Sequence, residues 1–254
     1  MRRITAGNIG RRKGGAPFAV MTAYDAPFAR CVEDAGIDVI LVGDSLGMVV
    51  LGYDSTIPVT IEDMIHHTAA AVRGARKAHI IADLPFGSYQ ACDDDAIRSA
   101  SRLVQEGGAT SVKLEGGIQA VPRIRAIVDA GIPVMAHIGL LPQTAGLGPG
   151  YGARTELETL RADAHAVEDA GAYAVVLEVV EAQIAATLSA ELTIPTIGIG
   201  SGPRCDGQVL VLHDLLGLFP NAPSFVKRYA DLNAIIVQAL RTYAHEVRQR
   251  EFPS

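Results

Sequence analysis

The chain has 254 residues, 49% of them hydrophobic but only 5% aromatic, with no Trp and a formal net charge of −6. That acidity argues against nucleic acid as the main partner, and no apolar run approaches the length of a membrane span. Met1-Arg2-Arg3-Ile4-Thr5 lacks the long apolar segment of a secretory signal, and Cys31, Cys92 and Cys205 are too widely spaced and odd in number for a disulfide frame, so the expected compartment is the cytoplasm.

In chain order, a first strand is expected near residues 17–22 and a helix over about 26–35, with Asp25 as its cap and Pro27 just inside. That helix closes on Glu33-Asp34-Ala35-Gly36, and an apolar strand, 37–42, begins at once. Thr60-Ile61-Glu62-Asp63 has capping-box spacing and opens a helix over 61–76, followed by a strand at 79–82. A helix over 93–106 closes on Gln105-Glu106-Gly107-Gly108 before a strand at 109–114. The next, 118–130, closes on Val128-Asp129-Ala130-Gly131 before a strand at 132–136. Thr155-Glu156-Leu157-Glu158 repeats the capping-box spacing and opens 156–170, which closes on Glu168-Asp169-Ala170-Gly171 before a strand at 173–177. A helix at 181–191, strands at 194–199 and 209–212, and a helix from about 225 to 249 complete the series.

The recurring phrase is a helix that stops at Gly, where a left-handed residue carries no steric cost. The strand after it is apolar on both faces, as a buried parallel strand must be. Repeated helix-Gly-strand units are repeated βα units. With no linker or low-complexity segment, the expectation is a single domain, 1–254, folded as an α/β (β/α)8 TIM barrel; an open doubly wound sheet is the alternative.

Barrel chemistry sits where strands end. The apolar strands lead into Gly43-Asp44-Ser45, Asp83-Leu84-Pro85, Glu115-Gly116-Gly117 (with Lys113 two residues earlier), His137, Glu178 and Gly198-Ile199-Gly200-Ser201-Gly202. Crowded acids need a cation. Asp44, Asp83 and Glu115 offer only hard oxygen ligands, which suits Mg²⁺, with Mn²⁺ as a substitute. Any one of these acids alone also reads as a helix cap or a loop ion pair. Lys113 and Glu115 point to one side of their strand, so Lys113 meets either an anionic substrate or an internal partner, Asp83 or Glu115. His137 alone reads as a packing residue, but at a strand end beside a ring of acids it reads as part of the site. The glycine loop admits an anion to its backbone N–H groups, or is simply a tight turn. His66 and His67 lie within a helix and read as packing or surface residues.

At these positions the sequence resembles the ketopantoate hydroxymethyltransferase family. The resemblance rests on Met21-Thr22-Ala23-Tyr24-Asp25, Val42-Gly43-Asp44-Ser45-Leu46-Gly47-Met48, Asp54-Ser55-Thr56-Ile57-Pro58-Val59-Thr60, Ala82-Asp83-Leu84-Pro85-Phe86, Lys113-Leu114-Glu115-Gly116-Gly117, His137-Ile138-Gly139-Leu140, Leu177-Glu178, residues 194–202 and Cys205-Asp206-Gly207-Gln208. It implies a barrel of the phosphoenolpyruvate/pyruvate class, assembled as a homodecamer. It implies transfer of a one-carbon unit from 5,10-methylenetetrahydrofolate to 2-oxoisovalerate, giving ketopantoate. It also implies Mg²⁺ ligands Asp44, Asp83 and Glu115, substrate contacts from Asp44, Ser45, Asp83, Lys113 and His137, and Glu178 as general base.

The sequence departs from the family in three places. Val179-Val180-Glu181 replaces a Cys or Met, Val and Pro. The segment from Gly139 to Arg154 keeps Pro142-Gln143 but is short and lacks a Lys-Val-Gln-Gly run. The chain ends at Phe252-Pro253-Ser254, short of an acidic, His-containing tail. Gly146, Gly148, Gly150 and Gly152 give the 139–154 segment conformational freedom, and Pro142 and Pro149 limit its hinges. These departures bear on donor and substrate side chain. The competing functions are a folate-independent C–C lyase or aldolase acting on another 2-oxo acid, and a non-catalytic oxo-acid-binding paralogue.

Overall fold

A computed structural model of the chain describes residues 3–148, 150–219 and 222–253, so Pro149 and Ser254 lie outside the described residues. Eight strands, β1 (Phe18–Thr22), β2 (Val39–Val42), β3 (His79–Asp83), β4 (Ser111–Glu115), β5 (Val134–Gly139), β6 (Ala174–Glu178), β7 (Thr196–Ile199) and β8 (Gly207–Leu210), close in that order into one barrel. Neighbouring strands pair in parallel. Closure excludes the open sheet. A short helix α1 (Ala6–Gly10) precedes β1. The connections carry α2 (Ala26–Asp34), α3 (Leu46–Val49), α4 (Ile61–Gly74), α5 (Asp93–Gln105), α6 (Val121–Asp129), α7 (Pro142–Ala145), α8 (Leu157–Asp169) and α9 (Ala182–Glu191); α10 (Leu212–Leu215) and α11 (Leu232–Gln249) follow β8.

Gly36, Gly108, Gly131 and Gly171 all have φ between +76° and +95°. After Gly36, Gly131 and Gly171, the next N–H reaches back to the helix: Ile37 to Val32, Ile132 to Ile127 and Ala172 to Val167. These are Schellman closures. They explain why strands start about two residues later than expected: the first apolar residue after Gly is still engaged in ending the helix. Asp25 caps α2, and Thr60 with Asp63 forms the expected capping box. Thr155 does not cap; α8 starts at Leu157 behind Glu156, which makes no side-chain cap. The backbone at Arg154 pairs instead with Val180, which keeps the chain extended there. β8 lies at 207–210 rather than 209–212, and α11 begins at Leu232 rather than near 225, where Asp231 caps it.

Every second strand residue faces inward. Val20, Val39, Leu41, Ile81, Met135, Ala174, Val176, Ile197 and Val209 form one buried cluster with Ile9 of α1. Below it His79, fully buried, contributes a polar layer. Its Nδ1 lies 3.1 Å from the Ile4 carbonyl, which only accepts, so Nδ1 carries the proton. Nε2 is left to accept from Ser111 Oγ (2.8 Å) or Tyr173 OH (3.0 Å). Burial, against the Ile4 bond and with Arg12 and Arg3 assisting, pushes the imidazole from 6.5 down to about 4. Between those two values the unfolded chain binds a proton that the folded chain refuses. Stability is therefore full above about pH 6.5 and falls toward pH 4, by roughly 3 kcal/mol from this group. Urea unfolding of His79→Asn should show a correspondingly flatter pH dependence over that window, and an unchanged slope would refute the assignment.

By packing, the chain divides into two compact units, Met1–Val209 and Leu210–Ser254. In the second, Tyr229 and Leu232 N–H groups bond to Leu215 and Leu216 carbonyls. None of the side chains of α11 is buried, although Leu232, Ile235, Ile236, Leu240, Tyr243 and Val247 recur at helical spacing. Among the described residues no helix is long and apolar enough to cross a membrane.

Candidate active site

The inward faces of β3, β4, β5 and β6 change character toward their C-terminal ends. Ile81 gives way to Asp83, Ser111 to Lys113 and Glu115, Met135 to His137, and Val176 to Glu178, all at the two-residue strand period. Parallel register places Asp83 opposite Lys113, Glu115 opposite His137, and Gly139 opposite Glu178. Asp44 follows β2, and its N–H donates to Asp83 Oδ2 at 3.0 Å. Asp44, Asp83, Lys113, Glu115 and His137 are each at most 6% exposed, and Glu178 is half-buried at the mouth.

Lys113 Nζ lies 3.0 Å from Asp83 Oδ1 and 3.1 Å from His137 Nδ1. An ammonium only donates, so Nδ1 accepts and the imidazole proton sits on Nε2. That nitrogen is 3.2 Å from Glu178 Oε2, close but too oblique for a well-formed hydrogen bond. Burial, then the charge of Lys113, holds His137 below its ordinary value, which keeps it neutral. Burial alone would lower Lys113; Asp83, Glu115 and Asp44 outweigh it and hold the ammonium above the usual lysine range. Of the expected residues, Asp44, Asp83, Lys113, Glu115, His137 and Glu178 come together. Ser45 stands half-buried beside them, its Oγ 2.9 Å from Tyr24 OH. His66 is exposed, and His67 Nδ1 bonds to the Tyr24 carbonyl at 2.7 Å, as expected of surface and packing residues.

Four carboxylates here face one ammonium. Burial, then the Asp83 charge, pushes Asp44 up to about 7; burial, then Asp44, lifts Glu115 well above the carboxylate range. Buried oxygens that resist ionisation for want of positive charge are the donor set a hard divalent cation suits. Among the described residues no three acidic, His or Cys side chains grip one point as placed. Gln143, the second residue of α7, stands among them: its Nε2 donates to Asp44 Oδ2 and to the Leu84 carbonyl, both at 2.9 Å, and its N–H to Glu115 Oε2 at 3.1 Å. The donor chemistry fits; the Gln143 carboxamide occupies one oxygen of Asp44.

Gln143 and Tyr89 are the residues that sequence reasoning missed. Tyr89 OH is 2.8 Å from Gln143 Oε1 and accepts the Glu115 N–H at 3.2 Å. Gln143 had one signal, the retained Pro142-Gln143 pair; Tyr89, in an irregular loop, had none. Gln143→Leu would strand Asp44 and the Leu84 carbonyl in a buried pocket, while Tyr89 OH keeps the Glu115 carbonyl at 3.0 Å. It should cost about 1–3 kcal/mol in urea unfolding and lower turnover as well; a neutral variant would show the carboxamide to be dispensable.

The 139–154 segment is tied down at both ends. Gln143 anchors α7, and Arg154 pairs with Val180 while its guanidinium donates to the Gly150 and Gly152 carbonyls at 2.8 and 3.0 Å. Leu147 and Tyr151 point outward between these anchors, each 60% or more exposed.

A closed parallel barrel with ionisable side chains gathered at its C-terminal mouth is the architecture of a (β/α)8-barrel enzyme. Solved structures share the barrel fold: 2,3-dimethylmalate lyase, a PEP mutase/isocitrate lyase superfamily member, superposes with a TM-score of 0.63 at 17% identity over 99% of this chain and 90% of that one. Phosphonopyruvate hydrolase in complex with oxalate and Mg²⁺ gives 0.66 at 14% identity, over 98% and 90%. The family profile described as Ketopantoate hydroxymethyltransferase matches residues 3–254, and the chain belongs to that family. The 3-methyl-2-oxobutanoate hydroxymethyltransferase of Carboxydothermus hydrogenoformans is 52% identical over 259 residues, 100% of this chain and 94% of that protein.

Proposed function

We propose that this enzyme transfers a hydroxymethyl unit from 5,10-methylenetetrahydrofolate to 2-oxoisovalerate, giving ketopantoate. The family supports the reaction, and one structural observation carries the chemistry: four strand-end carboxylates around a single buried ammonium. Asp44, Asp83 and Glu115 would hold Mg²⁺ or Mn²⁺, in keeping with the Mg²⁺ complex of phosphonopyruvate hydrolase. When bound, the ion would polarise the keto oxygen and offset the charge that builds there as the neighbouring C–H is broken.

The residues divide the remaining work. Lys113 and Ser45 receive the substrate carboxylate at the mouth. Glu178, the least enclosed of the acids, takes the C3 proton. Neutral His137 stands beside Glu178, its Nε2 3.2 Å from Oε2, and sets no positive charge against the base. The carbanion carbon then bonds to the methylene carbon of the donor, whose two C–N bonds break. One water supplies the hydroxyl, and the C3 proton and the water's remaining proton go to the two nitrogens of the released tetrahydrofolate. The folate donor rests on the family alone. The test is exchange of the C3 proton of 2-oxoisovalerate with deuterated water, followed by NMR with Mg²⁺ and no folate. Exchange should occur without a donor, and its absence would refute the assignment of proton transfer to this site.

The resemblance also leads us to propose a cytoplasmic homodecamer. The uncovered apolar stripe of α11 is a surface suited to contact with a second copy. Light scattering should find a ring-sized assembly, and a monomer at micromolar concentration would contradict it.

A further inference from the structure

The residue after Glu178 adopts a conformation that its chemistry disfavours. Val179 has φ +50°, and a β-branched side chain there crowds the backbone. Such a residue persists only where its surroundings over-determine it. Each turn backbone group that does so is identifiable. The Val179 N–H donates to the Ile199 carbonyl at 2.8 Å, its carbonyl accepts from Arg154 N–H at 2.9 Å, and the Glu178 carbonyl accepts from Leu140 N–H at 2.8 Å. Gly139 makes that last approach possible, since a Cβ there would lie 2.4 Å from the Glu178 oxygen.

One side chain completes the set. Ser201, 1% exposed, accepts the Val180 N–H at 3.0 Å and donates to the Leu177 carbonyl at 2.7 Å. Its hydroxyl therefore ties the residue before Glu178 to the residue after Val179, spanning the strained turn. An alanine can form neither bond, and the Val180 N–H would be left buried. The hydroxyl is engaged on both its donor and acceptor sides by the backbone, which gives Ser201 of the glycine loop a role other than anion binding.

We propose that Ser201 is a positioning residue that holds the strained Val179 turn and so aims the Glu178 carboxylate at the substrate. The inference rests on the reading of Glu178 as the base. A carboxylate displaced by about 1 Å loses on the order of a hundredfold in rate, so the hydroxyl acts on the chemical step and hardly on binding.

The experiment compares wild type, Ser201→Ala, Val179→Gly and the double variant, each loaded with Mg²⁺. It measures kcat and KM for C3 deuterium exchange on 2-oxoisovalerate, together with Mn²⁺ affinity by EPR and thermal midpoint. Ser201→Ala should lower kcat by roughly tenfold to a hundredfold, leaving KM and Mn²⁺ affinity close to wild type. Adding Val179→Gly should recover most of that loss, because glycine holds φ +50° unaided. A role in stability alone would lower the midpoint without lowering kcat, and would overturn the proposal. So would a kcat loss that Val179→Gly leaves in place. If Ser201→Ala does not fold, Ser201→Cys keeps the volume, weakens both bonds and replaces it in the same comparison. Glu178→Gln run alongside separates the two levels: normal exchange in that variant removes the base itself, whereas a dead Glu178→Gln with a fully active Ser201→Ala removes only the positioning role.

Discussion

Glu178→Gln is expected to bind Mn²⁺ and 2-oxoisovalerate almost as the wild type does, yet to lose C3 proton exchange by a factor on the order of 10²–10⁴. The amide keeps the shape of the carboxylate and its place beside His137 Nε2, 3.2 Å away. It removes only the ability to accept a proton. Glu178 is more open to the mouth than Asp44, Asp83 and Glu115, and its contact in the site is the imidazole rather than the ammonium. Normal exchange in the variant would transfer the base to another residue, and His137 is the next candidate, since it is neutral.

Removal of the divalent ion should have an effect of similar size. Chelation is expected to abolish turnover, and Mg²⁺ or Mn²⁺ to restore it. The loss should be a thousandfold or more, since stabilising the developing oxyanion is worth several kcal/mol, about 1.4 kcal/mol per factor of ten. The informative substitution is Asp83→Asn rather than Asp83→Ala. Asp83 is the ion-pair partner of buried Lys113 at 3.0 Å, and truncation to alanine would leave the ammonium with neither counter-charge nor acceptor, confusing lost function with lost stability. An amide oxygen still accepts its hydrogen bond. The asparagine keeps the shape and should abolish activity with Mg²⁺ present. Metal affinity should also weaken as pH falls below about 7, because Asp44, pushed up to about 7 by burial and Asp83, must shed its proton to ligate. Full turnover by demetallated protein would refute the metal reading.

The fold was legible because it repeats. A helix-ending glycine followed by an apolar run appears before β2, β4, β5 and β6, and each instance carries its own physical cause in the left-handed closure. The gathering of the candidate site residues was legible for the same reason: strands that are apolar along their length and end in an ionisable residue have few structural uses for it. Asp44, Asp83, Lys113, Glu115, His137 and Glu178 all meet as that reasoning expected.

What escaped has no local signature. Gln143 reaches Asp44 across 99 residues of sequence, and nothing in either neighbourhood announces the pairing. The strain at Val179 depends on a hydroxyl in the following connection, visible in sequence only as a Ser inside a glycine loop. Thr155 had the spacing of a cap, but tertiary pairing at Arg154 took precedence over the local preference. Helix α1 is five residues long, too short for periodicity to reveal, yet it places Ile9 in the barrel core.

The central claim is the reaction itself, and it is tested most directly by incubating the Mg²⁺-loaded enzyme with 2-oxoisovalerate and 5,10-methylenetetrahydrofolate and following ketopantoate by mass spectrometry. The account predicts ketopantoate formed in step with consumption of the folate donor, and none from the Glu178→Gln variant. Deuterium exchange on 2-oxoisovalerate without any ketopantoate, in the same preparation with the donor present, would contradict it and leave a folate-independent carbon–carbon lyase or aldolase in its place.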